Sequence, residues 1–255
     1  MDRLAKYAEM LDSAQREATA TPQITPVDTA FTVEEAYQVQ KLSVDRRLSR
    51  GERRIGVKMG LTSRAKMQQV GVEEVAWGRL TDAMLVEDGG SIVFSRFVHP
   101  RVEPEIAFIL KDALPATVTP AAALLAVGGV APALEIIDSR YQNFRFSLTD
   151  VVADNSSSSA LVIGPWADPS TDLSNLGMIL EIDGVARQIG SSAAILGHPL
   201  RSLVAAARLA EEAGEPLQAG SVVMAGGATA AEALAPGQHV RLVVQKLGRV
   251  EFNVK

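Results

Sequence analysis

Glu103 and Glu105 stand at i and i+2 in the stretch Arg101-Val102-Glu103-Pro104-Glu105-Ile106-Ala107-Phe108. Alternate side chains of an extended strand share a face, so both carboxylates look the same way, and Ile106, Phe108 and Leu110 form an apolar face behind them. Two adjacent carboxylates raise each other's pKa unless a cation neutralises both. A hard divalent ion such as Mg²⁺ prefers carboxylate oxygens and keeps positions open for other ligands. The competing reading is a polar strand edge with two solvated glutamates. Pro104, lacking an amide donor between them, suggests an edge or bulged strand rather than a central one.

Further candidates are scattered along the chain. Glu135 is a lone carboxylate in the apolar run Ala133-Leu134-Glu135-Ile136-Ile137. Burying it ionised requires a cation, either a metal shared with Glu103 and Glu105 or an arginine such as Arg140. Lys58, between Val57 and Met59, either stabilises an oxyanion or is an ordinary strand lysine. Asp82 is a general acid/base or a turn residue. Asp154 and Asn155 precede four serines, a loop able to donate hydroxyls and amides to a carboxylate or simply to be polar. Ser63 reads as the cap of a helix from Arg64 to Gln69. His99, His198 and His239 are too dispersed to form a ligand set and read as surface or core histidines.

The elements that must position these groups follow from pattern. Leu4, Tyr7, Ala8, Leu11 and Ala14 fall at helical spacing over residues 3–18, and Thr32-Val33-Glu34-Glu35 is a capping box opening a second helix that Gly51 can stop. Residues 1–53 are therefore expected to form a helical N-terminal lobe, and 54–255 a second unit. From Arg54 onward come short strand-like runs: 55–59, 91–94, 103–110, 132–138, 160–163, 178–183, 188–189, 222–225, 240–245 and 249–254. Helices are expected at 120–126, capped by Thr119, and at 200–213. Gly-Gly, Asp-Gly and Pro-Gly turns punctuate the runs. The expected fold is α+β and β-rich, a rolled mixed sheet with peripheral helices.

The composition bounds the function. The chain has 255 residues, 47% of them hydrophobic, and a formal net charge of −5, which offers no field for a phosphate backbone. Nucleic acid is excluded as a partner. The chain has no cysteine, which removes disulfides and thiolate sites and suits a cytoplasmic protein. The apolar run from Ala121 to Val130 is too short to span a bilayer, and no secretory signal opens the chain. P-loop, G-x-G-x-x-G, H-E-x-x-H and G-x-S-x-G motifs are all missing.

Four segments taken together resemble the fumarylacetoacetate hydrolase superfamily, and within it the branch of 2-hydroxypenta-2,4-dienoate hydratases and 4-oxalocrotonate decarboxylases. They are Val57 through Ser63, Trp77-Gly78-Arg79-Leu80-Thr81-Asp82-Ala83-Met84, His99 through Glu105, and Asp150 through Ser157. The resemblance implies a rolled-sheet fold, Mg²⁺ or Mn²⁺ held by Glu103, Glu105 and Glu135, and proton handling by Lys58 and Asp82. It implies substrate contacts from Thr62, Ser63, Arg64, Arg79, Leu80, Asp154, Ser157, Ser158 and Thr229. A glutamate at position 135 separates this branch from the superfamily's hydrolases, which typically carry aspartate there. Arg-Val-Glu-Pro-Glu and Asn-Ser-Ser-Ser-Ser are more similar to decarboxylases than to hydratases. Ala225, where relatives usually carry threonine, removes one hydroxyl contact. The implied reaction is metal-dependent decarboxylation of 2-oxo-3-hexenedioate, a small 2-oxo dicarboxylic acid, in aromatic meta-cleavage degradation. The alternatives are the hydratase of the same fold and a non-catalytic partner of that hydratase. A homo-oligomer and a complex with the hydratase are also implied.

Overall fold

The computed structural model describes residues 2–63 and 74–255. The expected helix at 64–69 and the candidate Arg64 lie outside them. Helices α1 (Arg3–Glu17) and α2 (Val33–Ser49) pack through Ala8, Leu11, Ala36 and Val39. The Thr32 hydroxyl accepts from the Glu35 amide at 3.2 Å and Glu35 Oε2 accepts from the Thr32 amide at 3.2 Å, the reciprocal cap the sequence suggested. Between the two helices, buried Asp12 receives Arg46 and Arg50.

The rest of the chain alternates short strands and helices. In order they are β1 (Arg54–Gly60), β2 (Ala76–Thr81), β3 (Leu85–Val86), β4 (Ser91–Ile92) and β5 (Arg101–Leu110), then α3 (Pro120–Ala126), β6 (Val127–Ile137), α4 (Leu148–Ala153), β7 (Ser158–Ile163), β8 (Gly177–Ile182) and β9 (Val185–Ser191). They continue with α5 (Pro199–Glu212), β10 (Val222–Met224), β11 (Glu232–Ala233), β12 (His239–Val244) and β13 (Gly248–Val254). One mixed sheet runs β2-β1-β10-β5-β6-β7-β3, with β11 also on β5, and a second runs β4-β13-β12-β8-β9. A shared apolar core joins Ile106, Phe108, Leu134 and Val162 of the first sheet to Met178, Leu180, Leu242 and Phe252 of the second. The buried face of α5, Leu203, Ala206, Ala207 and Ala210, closes it. This is the α+β fold of curled mixed sheets that the sequence implied.

The structure differs from the sequence reading in three places. Residues Trp77 to Thr81, outside the expected strand runs, are a fully buried strand, in which Arg79 pairs with Glu215 and stacks on the Trp77 ring. Strand β6 begins at Val127, directly after the expected helix α3, rather than at Pro132. Strand β5 is central rather than an edge, with β6 on one side and β10 and β11 on the other. Pro104 is tolerated there because it lies between the residues that pair with β10 and with β11. Its carbonyl accepts from the Ala228 amide in the connecting loop, so its missing donor faces that loop and not the β6 ladder.

Candidate metal centre and active site

The register of β5 against β6 sets Glu103 directly opposite Glu135 and Glu105 opposite Ala133. Like charges so paired destabilise a sheet. Oxygens of Glu103, Glu105 and Glu135 nevertheless all lie within 4.8 Å of one another, with Glu105 and Glu135 fully buried. Glu105 Oε2 accepts from the Gly226 amide at 2.8 Å. Among the described residues its Oε1 is buried with no hydrogen-bond donor, and the buried Glu135 carboxylate is met only by the Lys58 ammonium and the Ser158 hydroxyl. Burial, followed by the field of Glu135, pushes Glu105 well above the usual carboxylate range, and burial pushes Glu135 up as well. An all-oxygen trio with undersatisfied buried carboxylates fits Mg²⁺ or Mn²⁺, so Glu103, Glu105 and Glu135 are the residues that would hold the ion.

Among the described residues, Lys58 is the cation that meets the trio. It sits on β1 opposite Gly78 of β2, 3% exposed, with Nζ 3.0 Å from Glu135 Oε2 and donating to the Ser156 carbonyl at 3.0 Å. Burial alone would lower its pKa, but Glu135, Glu105 and Glu103 together outweigh burial and raise it, so the ammonium stays charged. Glu135 therefore meets Lys58, while Arg140, the alternative partner, is committed to Asp154.

The Ser156 carbonyl reaches Lys58 through an uncommon turn. Asn155, Ser156 and Ser157 have φ of 50°, 49° and 59°, three consecutive non-glycine residues in the left-handed region. Such a run persists only where its surroundings enforce it. Two clamps do so here. The Asn155 carboxamide accepts from the Arg79 amide at 2.8 Å and donates to the Arg79 carbonyl at 2.9 Å, as a neighbouring strand would. Below the turn, Arg140 donates to Asp154, to the Ser158 carbonyl and to the Ser159 hydroxyl. Gly78 is required beneath the loop, since a Cβ there would lie 2.6 Å from the Asn155 carbonyl oxygen. Gln40 ties the N-terminal helices to the same place, donating to the carbonyls of Trp77 and Val152.

A cavity of about 170 Å³ opens over Lys58 and Glu103. Its polar wall includes Thr62, Ser63, Ser156 and Ser157, and its apolar wall Leu61, Ile137, Phe146 and Val151. Gly227 completes it next to Glu103, where a Cβ would stand 2.9 Å from the carboxyl carbon. The larger clefts, of about 670 and 480 Å³, touch neither Lys58 nor the three glutamates.

Of the residues singled out from sequence, Lys58, Thr62, Ser63, Glu103 and Ser157 line this cavity, and Glu105 and Glu135 sit at its floor with the Ser158 hydroxyl beside Glu135. Others lie elsewhere. Asp82 opens a short turn and accepts from the Arg53 amide at 2.9 Å and from its guanidinium at 3.0 Å, away from the carboxylates. Arg79 points to the far side of β2, against Glu215 and Gln40. Leu80 is buried with Met84, Ala133 and Leu161. Asp154 is the buried partner of Arg140, and burial raises it to about 6. Thr229 packs beside Gly190 of β9. Asn155, the Ser156 carbonyl and Ile137 were not named as site groups from the sequence. For Asn155 and Ser156 an N-S-S run after an aspartate was the only signal, since a backbone carbonyl leaves no trace in residue type.

The matching family model, fumarylacetoacetate hydrolase C-terminal, covers residues 55–255. The chain belongs to the fumarylacetoacetate hydrolase family. Over 251 residues, 98% of each chain, it is 56% identical to a 4-oxalocrotonate decarboxylase of a Pseudomonas species. It superposes with a TM-score of 0.96 and 38% identity on the 4-oxalocrotonate decarboxylase of Pseudomonas putida G7 complexed with magnesium and adipate, covering 99% of this chain and 97% of that one. A 2-keto-4-pentenoate hydratase of Paraburkholderia xenovorans is 38% identical over 238 residues, 90% of this chain and 88% of that one.

Proposed function

We propose that the protein is a metal-dependent carboxy-lyase that converts 2-oxo-3-hexenedioate to 2-hydroxypenta-2,4-dienoate and CO₂. The observation that carries this reading is the Glu103–Glu105–Glu135 trio, with Lys58 3.0 Å from buried Glu135, in a chain 56% identical to a protein named for that activity. A bound Mg²⁺ would supply Lewis acidity toward the 2-oxo acid end of the substrate.

The chain's own residues account for the rest. Breaking the C5–C6 bond releases CO₂; its electron pair becomes the C4–C5 double bond, the former C3–C4 pair shifts to C2–C3, and the ketone oxygen takes the negative charge. Lys58, held by the Ser156 carbonyl and Glu135, keeps a positive charge beside that oxygen in a site with little water, where electrostatic stabilisation is strongest. Protonation on oxygen completes the product. The apolar wall of Leu61, Ile137, Phe146 and Val151 excludes water from the diene, and the Ser157 hydroxyl, buried without a partner among the described residues, is available to a substrate oxygen.

The same reading takes residues 1–53 as a helical lobe serving a catalytic unit of 54–255. It makes the protein a cytoplasmic homo-oligomer able to associate with the pathway's hydratase. Support comes from the absence of cysteine and, among the described residues, of any helix long and apolar enough to cross a membrane. Incubating the Mg²⁺-loaded protein with 2-oxo-3-hexenedioate and trapping CO₂ tests the reaction. Water addition to 2-hydroxypenta-2,4-dienoate without CO₂ release would assign the hydratase activity instead.

A further inference from the structure

A second group of polar side chains lies one step along the strand that carries the glutamates. Arg101 precedes Glu103 by two residues on β5 and is in register with Ile137, which lines the catalytic cavity. Its guanidinium carbon stands 4.1 Å from the centroid of the Phe144 ring. Arg47, Arg54, Arg79 and Arg140 each face a carboxylate, whereas Arg101 makes no ion pair among the described residues. A guanidinium stacked on a ring keeps its edge N–H groups free for a planar anion. The His99 imidazole meets the same Phe144 ring edge-on at 6.3 Å, and its buried Nε2 has no hydrogen-bond partner among the described residues. Asp138, beside His99, has its oxygens taken up by the Val98 and His99 amides.

The ring between these two groups is held in place. Asn143 and Phe144 have φ of 60° and 54°, a conformation that costs energy in residues other than glycine, and Phe144 packs on Phe146 of the cavity wall at 5.4 Å. His99, Arg101, Asn143 and Phe144 line a cleft of about 410 Å³ that is separate from the catalytic cavity and adjoins it through Phe146 and Ile137.

We propose that this cleft is a second carboxylate-binding site, in which the free edge of Arg101 takes both oxygens of the carboxylate and His99 Nε2 is the second donor. Two sources share that chemistry. One is the remote carboxylate of a dicarboxylate whose other end lies at the glutamates, since Arg101 and Glu103 are about 6.6 Å apart along the strand. The other is a free carboxylate unconnected to the catalytic cavity.

Calorimetric titration of Mg²⁺-saturated protein with adipate and with acetate, in wild type, Arg101→Gln and His99→Gln, tests the site. Matched thermal unfolding verifies that each variant is folded. Arg101→Gln is expected to weaken adipate binding ten-fold or more and His99→Gln several-fold. Loss for adipate with acetate binding intact supports the remote carboxylate as occupant, and loss of an acetate equivalent in Arg101→Gln supports a free one. Unchanged adipate and acetate isotherms in both variants overturn the proposal. Turnover by the wild-type protein is measured separately, so failure here is distinguishable from failure of the decarboxylase reading.

Discussion

Replacing Lys58 by Met removes a buried ammonium and keeps most of its volume, which isolates the electrostatic part of the site. At 3.0 Å and an effective dielectric of about 20, the attraction between Lys58 Nζ and Glu135 Oε2 is roughly 5.5 kcal/mol. The cost of burying the ammonium disappears with it, and the glutamates can take up a proton, so the net loss falls to about 3–5 kcal/mol, the span for breaking a buried pair from one side. For a chain of this size that is a fall in Tm on the order of 10 °C. The assay is thermal unfolding of wild type and Lys58→Met, once in chelator and once in excess Mg²⁺. Lys58→Met should be far less stable in chelator and recover much of the difference with Mg²⁺, because a divalent ion at the glutamates replaces the missing charge. Equal melting temperatures in chelator, or a deficit indifferent to Mg²⁺, would refute the assignment of Lys58 as counter-ion to the trio.

Other outcomes follow from the same geometry. Gly227→Ala sets a methyl group 2.9 Å from the Glu103 carboxyl carbon, and Mg²⁺ affinity by calorimetry should fall about ten-fold. Asn155→Ala frees the left-handed turn that aims the Ser156 carbonyl at Lys58; kcat should drop by about ten-fold or more while the Mg²⁺ isotherm stays within two-fold of wild type. Asp82→Asn alters contacts to Arg53 and the Ala83 amide, away from the glutamates, so kcat/KM should change by less than about two-fold, and a collapse of activity would return Asp82 to the site. Burial pushes Glu215 up, but Arg79 and Arg54 outweigh it and hold the carboxyl at about 2 against an ordinary 4.5. Its stabilisation is complete above the unfolded value and is lost as pH falls from about 4.5 to about 2, a contribution on the order of 2 kcal/mol after discounting for partial exposure. Glu215→Gln should flatten that acid limb in denaturant titrations.

Strand periodicity made legible that Glu103 and Glu105 share one face, and only the family resemblance added Glu135 to them. That Glu135 faces them depended on the register of β5 with β6, which no local pattern encodes. The charges of Arg79 and Asp154 misled for one reason: polar residues in motif-rich segments look like ligand contacts, yet each is buried against its own counter-ion, Glu215 and Arg140. Asp82 suffered from adjacency to a real site strand. It follows β2 directly, but the chain turns outward at Thr81 and hands the carboxylate to Arg53. Helix α4 was invisible as a helix because six residues give too few turns for a period to show; its Ser147–Asp150 cap was the only cue.

The claim on which the rest depends is that Glu103, Glu105 and Glu135 hold one divalent ion. Mn²⁺ titration followed by electron paramagnetic resonance tests it most directly, with wild type, Glu105→Gln and Glu135→Gln compared under identical conditions. One ion bound per chain in wild type, displaced by Mg²⁺, with affinity reduced at least about a hundred-fold in each variant, is the predicted result. Unchanged Mn²⁺ affinity in both variants would contradict it.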